Sequence, residues 1–300
     1  MSAIRNVHER VVEAPAETVG ALLDRVSAED DPVFPVPAWP PMRFDRPLGV
    51  GAKGGHGRVR YAVTAYEPGH RIRFAFGPPG HGFHELTVEP LGERRCRVRH
   101  VLEHDLRGTA LLGWLLVVRP AHDTVIEELL DNVERAVAGA PAHPVRWSPR
   151  VRLVHRLLWP RPKTVATPEG ALLIRGALDR PGYEDAYAME LRPGMPTDPQ
   201  RWTGILRDAF PVLARTDGEL LLDVNTAGLK ARASILVDER YVTLSTAVRA
   251  DSPRARLYWG VVRQVHPFMA RTMLRRTHRA LALAAPSAAE RAGRVEGRRR

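Results

Sequence analysis

Histidines are the residues of this chain whose types and spacing could do chemistry. His84 and His100 fall in segments that alternate apolar and polar residues, so their side chains turn to the apolar face of their strands. Helical spacing places His122 on the same helix face as Leu129. A neutral imidazole in an apolar cavity can accept or donate a proton near neutral pH, as aldol cyclisation, dehydration or enolisation requires. We therefore predict His122 and His100 as a general acid and base.

The same alternation predicts which side chains shape the cavity. Tyr61 or His84 would orient a carbonyl group, and apolar residues would line the remainder. The predicted ligand-binding residues are Tyr61, Phe74, His84, Leu102, Trp114 and Leu129. The alternative interpretation of each histidine is a partly buried polar residue with a structural role only.

Motifs for other kinds of chemistry are missing from the sequence. It contains no HExxH, no GxSxG and no Walker spacing, and histidines on separate strands lack the usual spacing of metal ligands. The single cysteine, Cys96, cannot form an internal disulfide. We expect no metal and no cofactor.

The elements that would position the histidines form an α+β pattern. A strand over 4–12 and a short helix over 14–26 precede four alternating runs with short turns, which predict an antiparallel meander. The run TALLGWLLVV (109–118) predicts a buried helix, and Pro120 should break or kink it before a second helical segment that ends near residue 137.

Three segments carry a resemblance to a known family. VVEAPAETVGALL, GVGAKGGHGRVRYAVTAYEPGHRIRF and HDTVIEELLDNVERAV resemble the START-like superfamily, which includes polyketide cyclases and birch-pollen-allergen-like (SRPBCC) proteins. The resemblance covers about residues 4–138. It implies a helix-grip fold, with a hydrophobic cavity between a curved sheet and the last helix. The second half resembles an uncharacterised bacterial domain that is also found fused to epimerase-like proteins.

The two halves share one plan. VVRPAH (117–122) recurs as VVRQVH (261–266), and each copy lies in a terminal helix that follows a similarly ordered set of strands. We predict tandem helix-grip domains. Only the first copy is accompanied by other inward histidines, so we predict a structural role for His266.

Charge and composition complete the domain prediction. The net charge is +11, and the excess lies after residue 140. We predict a START-like domain over 1–140, a basic Pro/Arg-rich linker over 141–182, a shorter helix-grip-like domain over 183–285 and a basic disordered tail over 286–300. Neither a leader peptide nor a transmembrane segment is evident, so we expect a cytoplasmic protein.

Three functions remain open at this point. The first is binding of a hydrophobic, polyketide-like or lipid-like molecule, as a carrier or sensor. The second is a cyclase or dehydratase that uses the cavity histidines. The third is an interaction protein that uses the basic linker, with peripheral membrane contact through residues 141–165. We expect no nucleic-acid partner, because the basic residues are nearly all arginine, a compositional bias.

Overall fold

The chain folds into two compact units. The computed structural model describes residues 3–77, 81–206, 210–226 and 228–286. The first unit extends to Leu157 and the second runs from Leu158 to Ala285. Nearly all of the predicted disordered tail, from residue 287 onward, lies outside the described residues.

The first unit contains a seven-stranded antiparallel sheet. Its order is β1-β7-β6-β5-β4-β3-β2, so the first strand pairs with the last. This order is the curved meander that the sequence predicts, closed by β1. The strands are β1 (Ala3–Val12), β2 (Met42–Phe44), β3 (Lys53–His56), β4 (Val59–Glu67), β5 (Arg71–Phe76), β6 (Gly82–Gly92) and β7 (Arg95–Asp105).

A long helix, α3 (Arg119–Ala138), packs on this sheet. α3 continues directly from a π-helical turn (Trp114–Val118), where Pro120 supplies no N–H to the preceding turn and Arg150 donates to the carbonyl oxygens of Leu115 and Leu116. Gly139 ends α3 in the left-handed conformation, with φ of 81°. Buried residues of α3 join the strands and α1 (Ala16–Leu23) in one hydrophobic core. This arrangement of sheet and helix is the helix-grip fold.

One close backbone contact joins α1 to the turn between β4 and β5. A Cβ atom on Gly20 would lie 2.2 Å from the carbonyl oxygen of Gly69. Only glycine fits at this point of α1, so the helix can approach the turn to a distance that any side chain would prevent.

The prediction of a buried helix over 109–118 is wrong. The segment forms α2 (Gly108–Gly113) and a π-helical turn (Trp114–Val118), and of these residues only Trp114 is buried. Leu112, Leu115 and Leu116 are 44–55% exposed. The segment precedes the part of α3 that packs in the core, so it presents one residue to the interior and leaves the others in solvent.

The second unit repeats the plan with fewer strands. Its antiparallel sheet has the order β10-β11-β12-β13-β9-β8, so its first long strand again pairs with its last. A 3₁₀ helix (Pro199–Leu206) takes the place of α1, and α6 (Pro253–Ala284) is the terminal helix. The strands are β8 (Lys163–Val165), β9 (Tyr183–Glu190), β10 (Val212–Arg215), β11 (Glu219–Asp223), β12 (Lys230–Val237) and β13 (Tyr241–Arg249). The protein is an α+β protein with tandem helix-grip units.

The segment predicted as a linker contains regular structure. Within residues 141–182 lie α4 (Pro149–Leu158), β8 and α5 (Leu172–Arg175). Val151 is buried in the core of the first unit, and Ile174 in a cluster of the second. Short apolar segments between prolines thus belong to the units on either side. The sequence-based boundaries stay predictions.

Candidate functional site

The predicted site residues lie together on the inner face of the first sheet and on the helix side that covers it. Their rings form a continuous series, from Tyr61 on β4 to Trp114 before α3. Ring centroids are 4.7 Å apart for Tyr61 and His84, 5.6 Å for His84 and His100, and 5.1 Å for His100 and His122. Trp114 follows at 5.6 Å from His122.

Three further predicted residues complete this interior. Phe74 lies 5.3 Å from Tyr61 and 5.2 Å from His84 between ring centroids. Leu102 is the β7 residue directly opposite His84, and it is buried. Leu129 is buried in the core two helical turns beyond His122. The catalytic and ligand-binding roles of all these residues stay predictions.

Burial keeps the inner histidines neutral. It lowers the pKa of His84 and His100 well below the usual value, and the nearby His122 lowers it further. Burial also lowers the pKa of His122, although Asp123 opposes the shift. At neutral pH each of these rings therefore carries a lone pair that can accept a proton.

Several buried polar atoms of this interior have no hydrogen-bond partner within the part of the chain that the structure describes. They are the hydroxyl of Tyr61, Nε2 of His84, Nδ1 of His100 and both ring nitrogens of His122. His100 and His84 contact each other through their other nitrogens, at 3.4 Å. A buried polar group without a partner costs about 1–3 kcal/mol, so this concentration is unusual for a purely structural core.

A polar ladder beside these atoms was missed by the sequence analysis. Residues Asn6, His8 and Arg10 alternate along β1 and face acidic residues at helical spacing on α3. The side-chain contacts are Asn6 with Asp123, His8 with Asp123 and Glu127, and Arg10 with Glu127, Asp131 and Glu134. The signal was present as a period of two on β1 and steps of four, four and three on α3.

His8 is the charged member of the histidine group. Its Nδ1 lies 2.7 Å from a Glu127 oxygen and its Nε2 lies 3.2 Å from Asp123 Oδ1. Burial alone would lower its pKa, but these carboxylates outweigh burial and raise the pKa to about 9. His8 therefore holds a proton 6.1 Å from the neutral ring of His122, measured between ring centroids.

The described residues omit 78–80, 207–209, 227 and both chain ends. Among them there is a single group of possible metal ligands, formed by His8, His122 and Asp123. Their ligand atoms lie within 4.8 Å of one another. A metal ligand must be a neutral imidazole, however, and the two carboxylates on His8 favour its protonated form. The arrangement suits a proton better than a divalent ion.

A cavity of about 510 Å³ lies at the other end of α3. Its lining includes Glu13, Thr18, Arg94 and Val137. Val137 is fifteen residues beyond His122, roughly 22 Å along the helix. None of the predicted site residues lines this cavity.

The second unit places its own histidine in a satisfied polar cluster. His266 Nε2 lies 3.4 Å from Asp185 Oδ1, and Asp185 Oδ2 accepts hydrogen bonds from the hydroxyls of Tyr183 and Tyr187 at 2.8 and 2.9 Å. These contacts are consistent with a structural histidine, and the role of His266 stays a prediction.

The fold and the inner histidines define the first unit as a helix-grip domain with a polar interior. Residues 4–138 match the family model described as polyketide cyclase / dehydrase and lipid transport. This match confirms the resemblance of that segment to the START-like superfamily. No curated protein matches the chain.

Solved structures with similar folds include single-domain and two-domain proteins. A Thermobifida fusca protein solved by NMR is 19% identical and covers 49% of this chain and 100% of its own, with a TM-score of 0.37. Truncated norcoclaurine synthase from Thalictrum flavum is 13% identical and covers 46% of this chain and 94% of its own, with a TM-score of 0.36. The di-domain ARO/CYC BexL of the BE-7585A biosynthetic pathway is 12% identical and covers 94% of this chain and 100% of its own, with a TM-score of 0.34.

Across the described residues, every helix is too short or too polar to pass through a bilayer. The expected cytoplasmic location and peripheral contact through residues 141–165 stay predictions.

Proposed function

We propose that the first unit binds a hydrophobic small molecule bearing oxygen atoms, polyketide-like or lipid-like, between its sheet and α3, as a carrier or sensor. The observation that carries this proposal is a set of buried polar atoms on Tyr61, His84, His100 and His122 that have no hydrogen-bond partner among the described residues. Hydroxyl and carbonyl groups of a ligand would supply the partners that these atoms lack, and that gain favours binding.

The surroundings fit the remainder of such a ligand. Phe44 stacks on Phe74 with an interplanar angle of 17°, and Phe76 stacks on His84 at 18°. Flat aromatic faces bind flat or apolar molecules, and a few polar atoms among them fix the orientation. The family match over residues 4–138 supports this class of ligand.

Fluorescence titration of the full chain with a hydroxyanthraquinone and with anthracene tests the proposal. The hydroxylated probe should bind at least tenfold more tightly. Tyr61→Phe keeps the ring and removes its hydroxyl, and His122→Phe replaces the imidazole with a slightly larger apolar ring, so each should weaken binding of the hydroxylated probe alone. Equal affinity for both probes, or unchanged affinity in both variants, would overturn the proposal.

A cyclase or dehydratase activity is a second candidate, and the proton held by His8 favours it. Neutral His122 or His100 could remove a proton from the carbon beside a carbonyl group, and the imidazolium formed on that ring could return the proton to the leaving hydroxyl, which departs as water. His8, kept charged by Asp123 and Glu127, could stabilise the enolate formed between these steps.

The His8→Gln variant separates the two functions. Glutamine can still bond to the carboxylates but carries no charge, so an enzyme should lose turnover of a poly-β-ketone substrate by at least a hundredfold and retain binding. A carrier should show no turnover in either form. If both forms turned over the substrate at the same measurable rate, the protein would be an enzyme in which the charge of His8 has no catalytic role.

A further inference from the structure

The terminal helix of the second unit has an unusual charge pattern. Residues Pro253–Ala284 include seven arginines and two histidines, and no aspartate or glutamate. Arg254, Arg256, Arg263 and Arg271 are all exposed. A long helix with cations and no anions on it produces a strong positive field along its length.

The same helix exposes large apolar side chains. Leu257, Val261, Val265 and Phe268 are 75%, 68%, 52% and 74% exposed. Their spacing of four, four and three residues places them on one side of the helix. Buried residues such as Ala270 lie on the opposite side and pack in the core of the second unit. The apolar stripe therefore faces away from the sheet that α6 covers.

We propose that this stripe of α6, Leu257 to Phe268, binds the surface of an anionic lipid bilayer. The apolar side chains would enter the boundary between headgroups and acyl chains, and Arg254 and Arg271, which flank the stripe by three residues on either side, would contact lipid phosphates. Arg256 and Arg263 point to the other side of the helix and would add only longer-range attraction. An exposed apolar stripe and a cationic helix each have a matching partner in such a membrane. The stripe lies outside residues 141–165 and outside the family match, so the two proposals concern different side chains.

The charge pattern argues for lipid over the other occupants. A second copy of the chain packing on this stripe would bring two arginine-rich helices together with no acidic residue between them, which is repulsive. A nucleic acid would attract the arginines but would leave Phe268 and Leu257 in water. An anionic bilayer satisfies both features at once.

Sedimentation of the full chain with sucrose-loaded vesicles tests the proposal. Binding to phosphatidylcholine vesicles containing about one third phosphatidylglycerol should be at least tenfold stronger than to phosphatidylcholine alone, and 0.5 M NaCl should weaken it severalfold. The double variant Val261→Glu/Phe268→Glu should reduce binding at least tenfold. Both side chains are in solvent, so the fold should survive, as circular dichroism would verify.

Leu172→Glu provides the matched control. Leu172 is 71% exposed and lies on α5 of the same unit, so the substitution has the same chemistry at a different surface. This variant should bind vesicles like the wild type. An equal loss in Leu172→Glu, or absence of binding to anionic vesicles by folded wild type, would overturn the proposal. A dimer that dissociates only in the double variant would also overturn it, because the occupant would then be a second copy.

Discussion

The ring centroids of His8 and His122 are 6.1 Å apart, yet the pKa values of the two histidines shift in opposite directions. Asp123 and Glu127 raise the pKa of His8 to about 9, whereas burial lowers the pKa of His122. One strand and one helix therefore place a proton donor and a proton acceptor next to each other. Such a pair is useful in a site that moves protons and also in one that orients a polar ligand.

Replacing His122 by phenylalanine should leave stability unchanged or raise it by about 1 kcal/mol. Among the described residues neither nitrogen of His122 has a hydrogen-bond partner, and the nearest carboxylate oxygen, Asp123 Oδ1, lies 3.8 Å from Nδ1, so an apolar ring removes a desolvation cost. Urea unfolding of the full chain, followed by tryptophan fluorescence, measures the change.

The control for this substitution is His278→Phe in the second unit. His278 is more deeply buried than His122, with 1% of the residue exposed against 16% of the His122 side chain, and its Nε2 donates to the carbonyl oxygen of Glu190 at 2.9 Å. Loss of that bond should destabilise by about 1–2 kcal/mol. If His122→Phe were as destabilising as His278→Phe, the unpartnered state of His122 would be refuted.

The stability of the first unit should fall in mildly alkaline solution. His8 has a pKa of about 9 in the folded state and an ordinary value of 6.5 when unfolded. Its contribution is therefore complete below pH 6.5 and is lost as the pH rises through 9, by about 2 kcal/mol. The difference between wild type and His8→Gln, measured by urea unfolding from pH 6 to pH 10, isolates this effect. A difference that stays constant over that range would contradict the charged state of His8.

Glu219→Ala should destabilise the second unit by about 3 kcal/mol. The buried Glu219 side chain accepts from the backbone N–H groups of Leu173 and Ile174 and from the Ser234 hydroxyl, at 2.8, 3.1 and 2.5 Å. Alanine would leave three buried donors without a partner. Hydrogen exchange of α5 and β11 would report the loss, and Glu219→Gln should retain more of the stability because it keeps an acceptor oxygen. Unchanged exchange in Glu219→Ala would contradict the prediction.

Gly20→Ala should destabilise the first unit by about 2–3 kcal/mol, because a Cβ atom would overlap the Gly69 backbone. Gly113→Ala, at the end of α2, is the matched control. A Cβ on Gly113 would meet no atom within 4 Å, so alanine there should stabilise by roughly 0.5–1 kcal/mol through helix propensity. Thermal unfolding of both variants tests the pair. Opposite signs are expected, and equal effects would contradict the close contact.

Local patterns in the sequence were sufficient to place His84, His100 and His122 on one interior. Alternation along a strand and periodicity along a helix fix the direction of a side chain without knowledge of the partner. His8 was missed because its importance depends on pairing with His100 across the sheet and on carboxylates more than a hundred residues away. The local periods of β1 and α3 are visible in the sequence, but a short window does not show that these two elements pair with each other.

Hydrophobicity alone does not predict the burial of TALLGWLLVV (109–118). An apolar run predicts burial only when an element is available to cover it, and here one side of a π-helical turn packs while Leu112, Leu115 and Leu116 face solvent. The exposed stripe of α6 was not predicted for a related reason: apolar residues at helical spacing do not by themselves show which side of the helix packs on the sheet.

The pairing of first strand with last has a consequence for synthesis of the chain. The partner of β1 is β7, which ends at Asp105, and α3 follows only after it. While the ribosome makes the intervening ninety or so residues, the nascent β1 has no native neighbour in the sheet. Pairing of β1 with β7 then requires closure of a long loop. Because domains generally fold in the order of synthesis, the first unit can complete its sheet while the second is still emerging, and the second then repeats the same wait between β9 and β13.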